Sequence, residues 1–422
     1  MEKDIKPKYR GWDVWCCEAM CYLFASIPLT IVIATRSTPA VVGLIAFCIL
    51  TISWFGKLKF QNTFSFHYFS TPLGLTGCLF LIWCLISIFW SSEPYVSFRK
   101  WIELFASVLL SAILICYLPE YLKKKHFRWF LAMIALSCFI ILLELQTGLF
   151  FRKSIKGEVF TYIFNRPALT LVFLSIPILT NWKRAIAVLT GKSKEKWLWF
   201  LATTAGLICV VLGIADSGAA VLGGLTAFCA YCFIRFFPKT ALGASVGLLI
   251  FLFTLAPFTG FLFDTLLPEK AFSILENAHA RERVDIWKSF GKVTLEQPIL
   301  GAGLDMSKFA EKDSGSYNLS LNASEKEALN MGHPHNAVLQ IWYELGMVGA
   351  FLFLTICLII VKHIWKTQTQ FRAGEYAYFC AAIFVSASAH GFWQSWWIVT
   401  VASGIVWFIA LARTHPLHTG KE

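Results

Sequence analysis

In HPHNAVLQIWYELGMVG, His335 and Asn336 stand where a polar stretch gives way to an apolar one; nine residues further on comes Gly346 and, after two more, Gly349. An imidazole titrates near neutrality, so at such a junction it can take a proton from a hydroxyl at the level of a lipid headgroup. A histidine at a helix start is also explained as a simple polar terminus, and His333 as a loop residue. Pro334 restricts the backbone on the way in, and Asn336 has a side chain able to orient an imidazole or a substrate hydroxyl. Gly346 and Gly349 read as points of close helix packing rather than of substrate contact.

A second group of polar residues suits an anion. Arg281 and Arg283 lie in ARERVDIW, where Val284, Ile286 and Trp287 give a short amphipathic helix an apolar face. Guanidinium groups offer planar, bidentate donation to phosphate oxygens and stay charged at any relevant pH, which fits a diphosphate. A solvated basic helix against anionic lipid is the plain alternative. Arg166, in FNRPAL, can snorkel or contact a phosphate; Asp216 and Ser217, in IADSGAA, form a tight turn that can also touch a headgroup. His390, in AHGFWQSWW, reads as a polar contact inside a helix bundle. The two imidazoles of HPH are too close in sequence for helical i,i+4 ligation and no carboxylate triplet accompanies them, so no metal site and no cofactor is implied.

The elements that must position these residues follow from composition. Of 422 residues 57% are hydrophobic and 15% charged, which excludes a soluble globular protein and implies an all-α polytopic membrane protein. The net charge of +12 would suggest nucleic acid in a soluble domain, but here it sits in short loops between apolar runs, so it reads as topology and no nucleic-acid partner is expected. The 13 cysteines fall within or beside apolar spans and imply no disulfide framework; Cys229 and Cys232 read as packing.

About twelve spans are expected, near 14–34, 39–55, 72–91, 101–118, 128–147, 167–182, 197–215, 218–235, 240–263, 335–361, 374–391 and 394–412. The polar start of the chain argues against a cleaved signal peptide, so the first span is expected to act as its own insertion signal. Numbering alternate loops puts Lys3, Lys6, Lys8, Arg10, Lys57, Lys59, Lys123, Lys124, Lys125 and Arg128, among others, on one side, which makes both termini cytoplasmic. The chain then divides into 1–263 with spans one to nine, an outer loop 264–334 carrying the short amphipathic helix, and 335–422 with spans ten to twelve and a cytoplasmic tail.

These residues resemble a known family: the bacterial O-antigen ligases, with the related O-antigen polymerases and protein O-oligosaccharyltransferases. The family pattern, a histidine followed by Asn, Ser or Gln, nine residues, Gly, two residues and a small residue, is met by His335, Asn336, Gly346 and Gly349; Arg283 in RVDIW and the following EQPILGAGLDM resemble the helix and PxxGxG element that precede it. The resemblance implies a GT-C-like glycosyltransferase of the bacterial inner membrane with its site in a periplasmic loop between spans nine and ten. The donor would be a glycan on undecaprenyl pyrophosphate and the acceptor lipid A-core, with membrane lipids as further partners. It also implies metal-independent, inverting transfer, with His335 as base or orienter and Arg283 on the departing diphosphate. There is one departure: where many members carry an arginine in a Ser-Arg-Gly turn, this chain has Asp216, Ser217 and Gly218, and Arg166 and Arg281 are the candidates for the missing charge. A polymerase or a protein-glycosylating enzyme shares the motif region. A lipid-linked sugar flippase, using the arginines as a passage and His335 as a proton relay, is the alternative of another class.

Overall fold

Long runs of apolar residues can satisfy their backbone polar groups in lipid only by closing intrahelical hydrogen bonds. The computed structural model describes residues 11–55, 70–189, 198, 204–206, 208, 213, 217–274, 279–315, 319, 321–389 and 391–413. Every regular element among the described residues is helical.

Nine described helices are long and apolar enough to cross a membrane: Thr38–Phe55, Pro72–Trp90, Pro94–Glu120, Lys124–Gln146, Thr161–Thr180, Gly218–Phe236, Pro238–Leu266, Ala337–Lys366 and Ser395–Arg413. The chain is an all-α polytopic membrane protein. The first expected span is a pair of helices, Trp12–Ala25 and Ile27–Ile33, bent by 58° at Ser26. Its hydroxyl donates to the Tyr22 carbonyl at 2.8 Å, and Pro28 at the start of the second piece removes a donor there. The expected span near 197–215 lies largely outside the described residues. That near 374–391 is the helix Thr369–Ser388, which is not among the nine because its first turns, TQFRAGEY, are polar.

The chain forms two compact units. The first comprises 1–64, 107–224 and 395–422. Its centre is Trp407, fully buried and packed by Phe24, Phe127 and Phe130 at ring-centroid distances of 5.3, 4.8 and 4.0 Å. Burying so large an aromatic among three others contributes several kcal/mol, about 3–5 on removal.

The second unit comprises 65–106 and 225–394 and contains His335, the short arginine-bearing helix and the PILGAG loop. Its spine is the helix Ala337–Lys366, which packs on Pro72–Ile86, Pro238–Leu255, Thr369–Ser388 and Ala280–Thr294. The spine is broken. Gly346 has φ 64° and ψ −165°, a conformation essentially restricted to glycine, so the helix stops there and restarts. The carbonyls released by the break are taken by other donors: Ala302 N–H to Tyr343 O at 2.8 Å, Gly303 N–H to Glu344 O at 2.8 Å and the Trp83 indole to Leu345 O at 2.9 Å. From the other side Met347 N–H donates to Pro298 O at 2.8 Å, so the loop 298–303 fills the gap and completes the helix's hydrogen bonding. Close backbone approach explains the glycines: a Cβ on Gly346 would sit 2.2 Å from Ile299 O, and one on Gly301 2.6 Å from the Glu344 carbonyl carbon.

This corrects the reading of Gly346 as a helix-packing glycine. It is a hinge into which a loop is plugged, and Gly349 is needed because the bend brings Leu345 Cβ to 2.3 Å of where its own Cβ would be. Gly346→Ala is therefore expected to destabilise the protein by more than about 3 kcal/mol, since backbone strain adds to a collision with backbone that cannot rotate away. Thermal melting in detergent checks this; an unchanged melting temperature would contradict it.

Candidate functional site

The site grows from the start of the broken helix. The Asn336 side chain accepts from the backbone N–H groups of Val338 and Leu339, both at 3.1 Å, and so caps the helix. The capping oxygen is engaged inside the fold and Asn336 is buried. Immediately before it His335 takes φ 50°, in the left-handed region, at a cost of about 1–2 kcal/mol for a residue bearing a Cβ. The turn is held by the His335 N–H on His333 Nδ1 at 3.2 Å and by the Trp287 indole on Pro334 O at 2.8 Å. The two imidazoles lie edge to face, 4.1 Å between centroids.

His335 Nδ1 lies 3.3 Å from the Ala389 carbonyl oxygen. A carbonyl only accepts, so Nδ1 carries the proton and Nε2 keeps its lone pair. Burial, with the charge of Arg283 acting in the same direction and the Ala389 carbonyl opposing, holds the imidazole below its usual pKa. His335 is thus a neutral imidazole with a defined tautomer near pH 7. Its neighbour His333 is pushed down further, to about 4, by burial and by the His335 charge.

Arg283 projects from the helix Ala280–Thr294 and donates to the Ser388 carbonyl at 2.5 Å, one residue before the carbonyl that holds His335. It is half-buried and makes no ion pair among the described residues. Burial lowers its pKa from the ordinary arginine value, with Glu282 opposing, yet a guanidinium remains cationic throughout the physiological range. Its helix is seated by glycines: a Cβ on Gly260 would come within 2.1 Å of Lys288 N and one on Gly291 within 2.2 Å of Pro257 O. Phe290 then meets Tyr343 edge to face at 5.4 Å, tying the arginine-bearing helix to the broken one.

Residues 201–354 match the family model described as O-antigen ligase, a range that holds the arginine-bearing helix, the plugged break and the histidine. That stretch of the chain is similar to the O-antigen ligase family. It is 28% identical over 347 residues to a provisionally named polysaccharide ligase of Rickettsia felis, covering 80% of this chain and 79% of the relative. Similar proteins occur in Rickettsia conorii, 27% identical over 343 residues (79% of this chain, 78% of the relative), and Rickettsia typhi, 25% over 350 residues (80% and 79%).

The other expected site residues are placed differently. Arg281 is half exposed and drawn into carboxylates, with Asp264 at 3.4 Å, Glu269 at 3.5 Å and Asp285 at 3.9 Å, so its charge is already matched. Arg166 and Ser217 belong to the first unit. There the Arg166 guanidinium lies over the Trp396 ring at 5.4 Å, and the Ser217 hydroxyl donates to Asn165 O at 3.3 Å. Asp216 and His390 lie outside the described residues.

Sequence reasoning missed the deepest polar cluster. Glu344, fully buried in the broken helix, accepts from Asp305 N–H at 2.5 Å, Ser307 Oγ at 2.5 Å, Ser307 N–H at 3.4 Å, Gln340 Nε2 at 2.9 Å and the Trp393 indole at 2.5 Å. The signal was present, because a carboxylate within an apolar span is costly and marks a constructed site, with Gln340 four residues earlier on the same face.

Proposed function

We propose that this protein is a ligase that transfers a polysaccharide from undecaprenyl pyrophosphate to a hydroxyl of lipid A-core, as an inverting glycosyltransferase at the periplasmic face of the bacterial inner membrane. The observation that carries the reading is the pair of adjacent carbonyls, Ser388 and Ala389, which hold an unpaired guanidinium and a neutral imidazole side by side. The acceptor oxygen attacks the anomeric carbon while its proton passes to His335 Nε2. The bond from that carbon to the pyrophosphate oxygen breaks, its electron pair leaving with the phosphate, where Arg283 stabilises the growing charge. A lipid pyrophosphate is already a good leaving group, so fixed cationic donors suffice without a metal. Transfer is accordingly expected to persist in EDTA; loss of activity restored by magnesium would contradict that point.

The positive-inside distribution supports cytoplasmic termini and a periplasmic segment 264–334, flanked by membrane segments 1–263 and 335–422. Arg281, neutralised by three carboxylates, is not assigned a diphosphate contact.

Because burial lowers the His335 pKa, the base is expected to be free at pH 7. Transfer should then be flat above neutrality and fall about tenfold per pH unit below the depressed value, as the imidazole protonates. A profile still rising between pH 8 and 9 would place the essential group elsewhere. The function itself is tested with purified protein in detergent, undecaprenyl-linked polysaccharide and lipid A-core. Core-linked polymer is expected. Elongated lipid-linked polymer would make the enzyme a polymerase, and absence of any transfer without a membrane would favour transport.

A further inference from the structure

The two catalytic side chains are oriented by carbonyls of a loop, so the question is what fixes the loop. Ser388 ends the helix Thr369–Ser388, and Ala389 and residues 391–394 lie outside any helix. Two groups of the broken helix grip its far side. Gln340 Oε1 accepts from Phe392 N–H at 2.8 Å, and Glu344 accepts from the Trp393 indole at 2.5 Å. Gln340 and Glu344 are joined to each other at 2.9 Å, and the remaining Glu344 bonds run to Asp305 and Ser307 in the segment that follows the plug in the helix break.

We infer that Glu344 is a positioning residue: through Gln340 and Trp393 it fixes Phe392 and Trp393, a few residues along the chain from Ser388 and Ala389, and thereby the orientation of His335 and Arg283, with no contact to substrate of its own. All five of its partners are donors, so only a carboxylate, with two acceptor-only oxygens, satisfies them; an amide would set an N–H group against donors. The burial of such a group is costly unless every lone pair is used, which is the condition met here. The same carboxylate ties the helix break to the loop, so the plug, the histidine and the arginine are held by one hub rather than by separate supports. This inference rests on the reading of His335 as the base, and its test is arranged to separate the two.

The experiment uses full-length protein in detergent with the lipid-linked donor and lipid A-core acceptor. It compares wild type with Glu344→Gln, Trp393→Phe and His335→Ala. Transfer kinetics are read alongside the rate at which diethylpyrocarbonate modifies His335, followed by mass spectrometry. Glu344→Gln is expected to lower kcat about 10- to 100-fold, as misplacing a reacting group does, with KM for the donor changed less than about twofold. The His335 modification rate should rise as its ring is released from Ala389. Trp393→Phe, which keeps the ring and removes one donor, should move both readouts the same way by a smaller factor, and it carries the test if Glu344→Gln fails to fold. An unchanged His335 modification rate in the folded variants, or a kcat loss equal to the loss of folded protein, overturns the inference. Should His335→Ala retain full transfer while the modification rate still responds to Glu344, the base assignment fails and the positioning role stands.

Discussion

His335→Ala is expected to reduce kcat for transfer by about 10²- to 10⁴-fold, the usual contribution of a positioned general base, and to leave donor affinity nearly unchanged. The expectation rests on a tautomer fixed by the Ala389 carbonyl, which leaves Nε2 as the one ring atom able to receive a proton. His335→Gln should be equally inactive, because an amide can imitate the hydrogen bond to Ala389 but cannot accept the proton. His335→Gly provides the control for folding. The residue sits at φ 50°, where glycine carries no steric penalty, so this variant should melt no lower than His335→Ala while remaining inactive. Strain retained at an inactive-when-relieved position is what a functional constraint produces. Steady-state kinetics and melting curves on the three variants check both halves. Wild-type transfer by His335→Ala would remove the base from the account.

Arg283→Lys is expected to cost nearly as much as Arg283→Ala, with each lowering kcat/KM by about 10²- to 10³-fold, the typical loss of a charge-stabilising donor. Lysine keeps the charge but not the fork. Arg283 spends one nitrogen on the Ser388 carbonyl and has others left for a phosphate oxygen, a division that a single ammonium cannot reproduce from the same backbone position. Binding of undecaprenyl pyrophosphate should weaken along with turnover, because the diphosphate is present in ground and transition states alike. Arg281→Ala, in contrast, should stay near wild type, since Asp264, Glu269 and Asp285 already match its charge. The reverse order of effects for the two arginines would sink the assignment.

The difference between Arg281 and Arg283 marks the limit of what the sequence discloses. Both stand on one helix two residues apart, and charge alone fits either of them to a phosphate. Only the fold puts carboxylates of other helices beside the first and a carbonyl beside the second. The membrane class, most spans and the helix Ala280–Thr294 are legible because they depend on local periodicity and on charge. That the Asn336 oxygen caps a helix is not visible in the sequence motif, because it depends on whether that oxygen meets backbone or water. Gly346 was read as helix packing, although the PILGAG stretch some 45 residues earlier in the chain supplies the backbone that fills its break. Pairings of that kind join segments distant in sequence, and no periodicity announces them. Glu344 is legible in the sequence, since a carboxylate amid apolar neighbours signals a built environment.

The central claim is that the imidazole of His335 and the guanidinium of Arg283 face one substrate. A structure of the full chain with undecaprenyl pyrophosphate bound tests it most directly. The account predicts a phosphate oxygen within hydrogen-bond distance of an Arg283 nitrogen not used by Ser388, with His335 Nε2 open to the same space and Nδ1 still on Ala389. A diphosphate held without Arg283, or a His335 ring turned away from it, would contradict the account.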